Sequence, residues 1–167
     1  MSIKHEVMNW DQKSASDIEQ IYVTYQQTSE FESQLIELCL DESLSVGGTW
    51  LVKFHIEHGG TINAHDMQKV LTKLPTYDHW ESKLHILQVL SHFEVSRKTR
   101  KVLEPFLKHG LSDTNKFVRA WSFNGLYELA VQYPELQQEV TDLLNLALKN
   151  EPASVKARVR KLLKKGF

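Results

Sequence analysis

The chain contains a single cysteine, Cys39, among its 167 residues. A lone thiol has no partner within the chain, so an intramolecular disulfide is excluded and a reducing compartment is favoured. No stretch approaches the roughly 18 consecutive apolar residues that a membrane-spanning helix requires. The first residues also lack the apolar run of a signal peptide. We therefore expect a cytoplasmic protein with no membrane segment.

Turn-forming residues and catalytic motifs are also scarce. The chain has seven glycines and four prolines, and its β-branched residues do not alternate with polar ones, so the composition favours helices over strands. It has no glycine-rich phosphate loop, G-x-S-x-G elbow, H-E-x-x-H helix or C-x-x-C pair. Cys39 lies in an apolar stretch and is expected to be buried and inert. We expect no enzyme activity and no cofactor.

Charge is distributed unevenly along the chain. Residues 1–95 carry six Lys or Arg against fourteen Asp or Glu, whereas residues 96–167 carry fourteen against seven. The net charge of −1 therefore conceals an acidic front half and a basic back half. Such asymmetry carries information about binding partners.

Apolar residues recur at helical spacing between short turns, which predicts about nine helices. Ser29 with Glu32 and Asp78 with Glu81 have the spacing of capping boxes. The pair Gly47-Gly48 is expected to precede a helix that begins near Thr49. A further helix is expected to begin near Asn115 and to end near Tyr133.

The turns themselves repeat. Asp41, Asp78, Asp113 and Asn150 are separated by 37, 35 and 37 residues, which predicts four repeated units. A valine follows five positions after three of these turn residues, at Val46, Val118 and Val155. Small residues follow at Gly48, Ala120 and Ala157, where close helix packing is expected.

The segment from Leu103 to Ala130 resembles one HEAT repeat. It has a proline late in its first helix (Pro105), a turn at Asp113, and a second helix that opens on Val118-Arg119-Ala120. The resemblance implies an all-α, right-handed superhelical solenoid made of one domain, 1–167. Its four repeats would cover residues 29–60, 63–94, 96–133 and 134–166, behind an N-terminal extension and helix at 1–28.

The resemblance also implies roles for particular residues. HEAT proteins carry a structural ladder of turn aspartates and inner-helix arginines, to which Asp78, Asp113 and Arg119 correspond. Because HEAT solenoids are surfaces that hold other molecules, the implied function is a non-catalytic scaffold whose partner is another protein.

The basic back half supplies the candidate binding residues. They are three clusters of cations and one aromatic on an inner helix: Arg97, Arg100 and Lys101; Lys116 and Arg119; Lys156, Arg160 and Lys164; and Phe123. If the cations face one way, they form an electrostatic footprint for phosphates or for an acidic protein. A charged helix at the end of a solenoid is alternatively needed for solubility alone.

Two further interpretations remain open. The basic back half and the candidate aromatics make a nucleic-acid-binding or base-processing module the alternative function. Asp113 with Trp121 is similar to the Asp and Trp of the HEAT-like alkylpurine glycosylases, a family of this type. The acidic front of one molecule could also bind the basic back of another.

The histidines and acids between His55 and Asp66 lack a matched second ligand pair, so we expect no metal site.

Overall fold

The computed structural model describes residues 1–167 and contains ten α-helices and no strand. The predicted all-α class is therefore confirmed. The chain divides into two compact units, residues 1–89 and 90–167. The first unit carries six Lys or Arg and thirteen Asp or Glu, and the second carries fourteen and eight, so their net charges are −7 and +6. That the whole chain forms one domain stays a prediction.

Unit 1 holds six helices. They are α1 (Ile3–Asn9), α2 (Ala15–Tyr25), α3 (Phe31–Leu40), α4 (Ser45–Glu57), α5 (Ala64–Lys73) and α6 (Trp80–Val89). The sequence did not predict α1, because seven residues with only Ile3 and Val7 buried give too short an apolar pattern. Ser2 caps this helix by accepting a hydrogen bond from the backbone N–H of His5.

Unit 2 holds the remaining four helices, α7 (Arg97–Gly110), α8 (Lys116–Gln132), α9 (Gln137–Asn150) and α10 (Ala153–Lys165). The predicted helix from about Asn115 to Tyr133 is α8, and Asn115 is its N-cap. The pairs α3/α4, α5/α6, α7/α8 and α9/α10 fall within the four segments assigned from the sequence.

In each unit the second helix of one hairpin packs on the second helix of the next. In unit 1, α4 packs on both α3 and α6; in unit 2, α8 packs on both α7 and α10. We call α4, α6, α8 and α10 the inner helices. Their apolar residues form the centre of each core, for example Leu51 and Ile86 in unit 1, and Leu129 and Val159 in unit 2.

The pair Gly47-Gly48 does not precede its helix as predicted but lies in the first turn of α4, which begins at Ser45. A Cβ atom at Gly48 would stand 2.7 Å from the backbone N of Cys39 and from the backbone C of Leu38. Only glycine allows α3 and α4 to approach this closely. Two other local predictions were wrong: Ser29 does not cap α3, whose N-cap is Glu30, and Ala157 is exposed.

Hydrogen bonds in unit 1 join residues that are one repeat apart. The Ser45 and Ser82 hydroxyls lie 3.0 Å apart and 37 residues apart in sequence. The Tyr77 hydroxyl donates to the Cys39 carbonyl over 38 residues. The same period recurs in unit 2, where the Tyr133 hydroxyl donates to the Val95 carbonyl over 38 residues. The sequence period of about 36 residues is thus also the spacing between residues that contact each other in neighbouring repeats.

His85 belongs to this set. Its Nδ1 lies 3.0 Å from Thr49 Oγ1, 36 residues away. Thr49 Oγ1 also lies 2.7 Å from the Ser45 carbonyl oxygen, to which it donates, so it accepts a hydrogen bond from the His85 ring. Burial, helped by the charge of Lys53, lowers the pKa of His85 to about 4. The ring is therefore neutral in the folded protein at pH 7.

We predict that Gly48→Ala destabilises the protein by about 1–3 kcal/mol, because the added methyl meets backbone atoms that cannot rotate away. Gly47→Ala is the matched control. Its methyl would meet Val7 Cγ1 at 2.6 Å, a side-chain atom of the short helix α1 and not a backbone atom of α3, so we expect a smaller loss. Urea unfolding measures both. Equal losses for the two variants would contradict the close α3–α4 approach as the cause.

We also predict a pH dependence from His85. Its folded-state pKa lies below its unfolded value of 6.5, so the unfolded chain binds more protons between pH 6.5 and 4. Stability is therefore complete above pH 6.5 and falls as the pH drops through this window. Between pH 7.5 and pH 5 the wild type should lose up to about 2 kcal/mol more than His85→Gln. Urea unfolding of both proteins across this pH range measures the difference, and equal pH slopes for the wild type and His85→Gln would refute the assignment.

Candidate interaction surface

Arg119 lies near the start of α8 and is held by an ion pair and by hydrogen bonds to backbone carbonyls. Its Nε donates to Glu151 Oε2 at 3.1 Å, and its Nη1 donates to the backbone carbonyl of Asp113 at 2.8 Å. The side chains of Arg119 and Glu151 are 19% and 17% exposed. Because Glu151 lies in the turn between α9 and α10, this ion pair joins the third predicted repeat to the fourth.

The predicted ladder of turn aspartates and inner-helix arginines is therefore not formed by the Asp113 carboxylate and Arg119. The Asp113 carboxylate accepts from the backbone N–H of Asn115 at 2.8 Å, so it shapes the turn and does not pair with Arg119. The N-cap of α8 is Asn115, whose Oδ1 accepts from Phe117 N at 2.9 Å. The Asp78 backbone N–H donates to Glu42 Oε1 at 2.9 Å. The carboxylate that pairs with Arg119 is Glu151.

Arg100 is neutralised by two carboxylates. Its Nε donates to Glu104 Oε2 at 2.9 Å, and its Nη1 donates to Glu135. The hydrogen bonds that Arg100 donates to Glu135 and, with a smaller effect, to Glu104 raise the pKa of Arg100 above its usual value. Its guanidinium carbon lies 4.3 Å from the centroid of the Tyr133 ring. Arg97 and Lys101 line the adjoining cavity of about 490 Å³ together with Glu104 and Glu135, and the hydrogen bond from Arg100, helped by the charge of Arg97, lowers the pKa of Glu135.

The third predicted cluster, Lys156, Arg160 and Lys164, follows one stripe of α10. Two polar side chains of α10 that contact α8 are others, Arg158, which stacks on Trp121, and Lys165, which pairs with Glu128. A helix advances 100° per residue, so the predicted stripe lies on the opposite flank of α10 from these two.

The candidate basic residues therefore do not converge. Arg119 is near the first end of α8, whereas the Arg97–Lys101 cluster lines a cavity with Gln132 at its last residue. The thirteen residues between Arg119 and Gln132 span about 20 Å of helix. Lys116 is exposed, with its Nζ 5.5 Å from the Phe117 ring centroid. Phe123 is only 5% exposed, so it belongs to the core and cannot stack on a ligand.

A different set of residues shares the solvent-facing side of α8. Phe117 is 50% exposed and Val131 is 48% exposed, and half-buried Trp121 and Glu128 lie between them. These positions fall within a sector of about 80° on the helix. We call them, with Asn124 and the flanking Arg158 and Lys161 of α10, the α8–α10 surface. The helical spacing of Phe117 and Trp121 could have indicated this surface from the sequence. Helical spacing alone, however, does not show which face of a helix is covered by its neighbours.

Arg158 is the most unusual side chain of this surface. Its guanidinium carbon lies 3.9 Å from the centroid of the Trp121 ring. Burial lowers the pKa of Arg158 below its usual value, and no carboxylate pairs with it. The acids nearby are already engaged, since Glu128 pairs with Lys165 at 3.9 Å and Glu151 pairs with Arg119.

Asn124 is a second polar side chain of this surface without a partner inside the chain. It lies one turn after Trp121 on α8 and is 7% exposed, yet its side-chain amide makes no hydrogen bond within the chain. An amide offers two N–H donors and one carbonyl acceptor. The buried side-chain polar atoms without a partner are Gln34 Oε1 and Ser122 Oγ, so the Asn124 amide keeps contact with solvent and can donate to a bound group.

The histidine group of unit 1 is engaged in packing. His55 Nδ1 lies 3.0 Å from the Tyr22 hydroxyl, and its Nε2 lies 3.0 Å from the Thr61 carbonyl oxygen. His58 stacks on Phe54 at 3.8 Å between ring centroids, and half-buried Trp50 stacks on the other side of Phe54 at 4.9 Å. No group of three or more His, Cys, Asp or Glu side chains is arranged to hold a metal ion.

Cys39 is completely buried, and burial raises the pKa of its thiol. The thiol therefore stays protonated, which disfavours nucleophilic or metal-binding chemistry at this residue.

A comparison with known protein families matches nearly the whole chain. Residues 10–166 match the family described as the HEAT repeat domain. No curated protein matches the chain, and no solved structure does. None of the helices combines the length and the apolar character that crossing a membrane requires.

We predict that Arg119 is structural. Arg119→Gln should lower the free energy of unfolding by about 1–3 kcal/mol, because it leaves the half-buried Glu151 carboxylate without its partner. Lys156→Gln removes the same charge from a half-buried side chain with no ion pair and should change stability by less than about 0.5 kcal/mol. Urea unfolding of both variants tests this. A loss below about 0.5 kcal/mol for Arg119→Gln would contradict the structural role.

Proposed function

Because the chain belongs to the HEAT repeat family, we propose that it is a non-catalytic module that binds another protein on the α8–α10 surface. HEAT repeats are commonly protein-interaction scaffolds. The observation that carries the proposal is the exposure of Phe117 and Val131 on either side of Trp121. Large apolar side chains on one face of an inner helix, rimmed by charge, are typical of protein-binding surfaces.

The surface is largely preformed, which favours binding without an ordering cost. The Arg119–Glu151 ion pair fixes the start of α8 against the turn before α10. The Tyr127 hydroxyl donates to the Gly166 carbonyl just beyond the end of α10. Phe117 and Val131 are fourteen residues apart, or about 21 Å along the helix. That length accommodates one helix or one extended segment of a partner.

The distribution of charge favours a protein over a nucleic acid as partner. Tight binding to a phosphate backbone uses many cations along one track. Here Arg100 and Arg119 are ion-paired, and the Lys156, Arg160 and Lys164 stripe lies on the other flank of α10. The Asp113 carboxylate, which the glycosylase interpretation would use, accepts a backbone hydrogen bond in its turn. The nucleic-acid alternative is therefore the weaker proposal.

Selection from a peptide-display library tests the proposal, because it requires no identified partner. Peptides enriched on the wild-type protein should bind Phe117→Ala at least about 10-fold more weakly, because burying a phenylalanine contributes about 1.5–3 kcal/mol. Leu146→Ala is the control, since Leu146 is an equally exposed apolar residue (53%) on α9. Its affinities should match those of the wild type.

Two results would contradict the proposal. One is an enriched peptide set that binds Phe117→Ala and Val131→Ala as tightly as the wild type. The other is an absence of enriched peptides, together with binding of a short DNA duplex whose affinity falls steeply with salt, as contacts to phosphates require.

A further inference from the structure

We propose that Arg158, stacked on Trp121, is a carboxylate-binding subsite that receives an Asp or Glu side chain of the partner protein. This inference rests on the proposed function and specifies the chemistry of the partner. Without that subsite the surface would select partners by apolar fit alone.

The protein contains an internal comparison for Arg158. Arg100 also stacks on an aromatic ring, that of Tyr133, at 4.3 Å, but its N–H groups bind the carboxylates of Glu104 and Glu135. Arg158 stacks on Trp121 at 3.9 Å and has no carboxylate. An arginine whose face is covered by an aromatic ring still offers its edge to a carboxylate. Arg158 therefore has the aromatic stacking contact that Arg100 has, but it lacks the carboxylate contacts.

The missing carboxylate does not come from the surface itself. Helix α10 contains no Asp or Glu between Ala153 and Lys165. Glu128, the acid within the α8–α10 surface, pairs with Lys165. A partly buried charge without a counter-charge is unfavourable, so an incoming carboxylate gains a desolvated partner instead of displacing one.

Two neighbours complete the polar side of the subsite. The Asn124 amide lies one helical turn from Trp121 and keeps contact with solvent. Its N–H groups suit a carboxylate oxygen or a partner backbone carbonyl. Lys161, one turn beyond Arg158, is exposed and adds positive potential on the same flank. The fitting partner segment therefore carries an acidic residue beside an apolar one that covers Phe117 or Val131.

A double-mutant cycle tests this pairing with the library-selected peptides. Arg158→Gln should weaken binding roughly 10-fold or more, as should replacing the acidic residue of the peptide by its amide. Because both changes remove one contact, the combined loss should be close to either single loss. Arg158→Lys, which keeps the charge but loses the planar fork, should recover only part of the affinity.

The matched control is Arg160→Gln, which removes one charge from the same helix on the other flank and should change affinity less than about twofold. Equal losses for Arg158→Gln and Arg160→Gln would show general electrostatic steering and overturn the subsite. Additive losses in the cycle would overturn it as well. Circular dichroism and urea unfolding check that Arg158→Gln is folded; if it is not, the cycle is run with Arg158→Lys, where additivity has the same meaning.

The outcomes also separate this inference from the proposed function. If peptide binding depends on Phe117 but not on Arg158, the interaction surface stands and the carboxylate subsite falls. If peptide binding depends on neither, both fall. If Arg158→Gln instead abolishes salt-dependent binding of a nucleic acid, the subsite is a phosphate contact and the carboxylate inference is wrong.

Discussion

Contacts between residues one repeat apart fix the register of the inner helices. Parallel helices packed along their lengths could slide by a turn with little change in apolar contact. Directional bonds remove that freedom: Ser45 to Ser82 and Thr49 to His85 in unit 1, and Arg119 to Glu151 in unit 2. These groups lie at half-buried or buried sites, so a slip of one turn would leave polar atoms unpaired.

The same constraint determines the chemistry of the surface. With α10 held in register on α8, Arg158 lies over Trp121 and Lys165 reaches Glu128. Five of the eight acids of unit 2 bind a cation within the unit; they are Glu104, Glu128, Glu135, Glu139 and Glu151. The net positive charge of unit 2 therefore lies on side chains outside these pairs. The position of that charge depends on helix packing as well as on the sequence.

Periodicity in the sequence was sufficient to predict the helical hairpins, because each apolar stripe and each turn residue recurs at a spacing that helix geometry dictates. It could not predict the accessible face of an inner helix. Phe123 and Phe117 both lie on α8, yet one is buried and the other half exposed, because burial depends on which neighbours cover each flank. The partner of Arg119 was missed for the same reason: Glu151 is 32 residues away, and its proximity is a property of repeat packing.

Arg100 and Arg158 illustrate what packing adds to composition. In the sequence both are arginines in basic helices, and only Arg100 appeared among the candidate ligand contacts. In the fold Arg100 is saturated, with carboxylates raising its pKa, whereas burial without a counter-charge lowers the pKa of Arg158. A cation that is already paired gains little from a ligand, because binding must first break the existing contact. The arginine that we propose as the anion-binding group is therefore Arg158, which has no carboxylate partner within the chain.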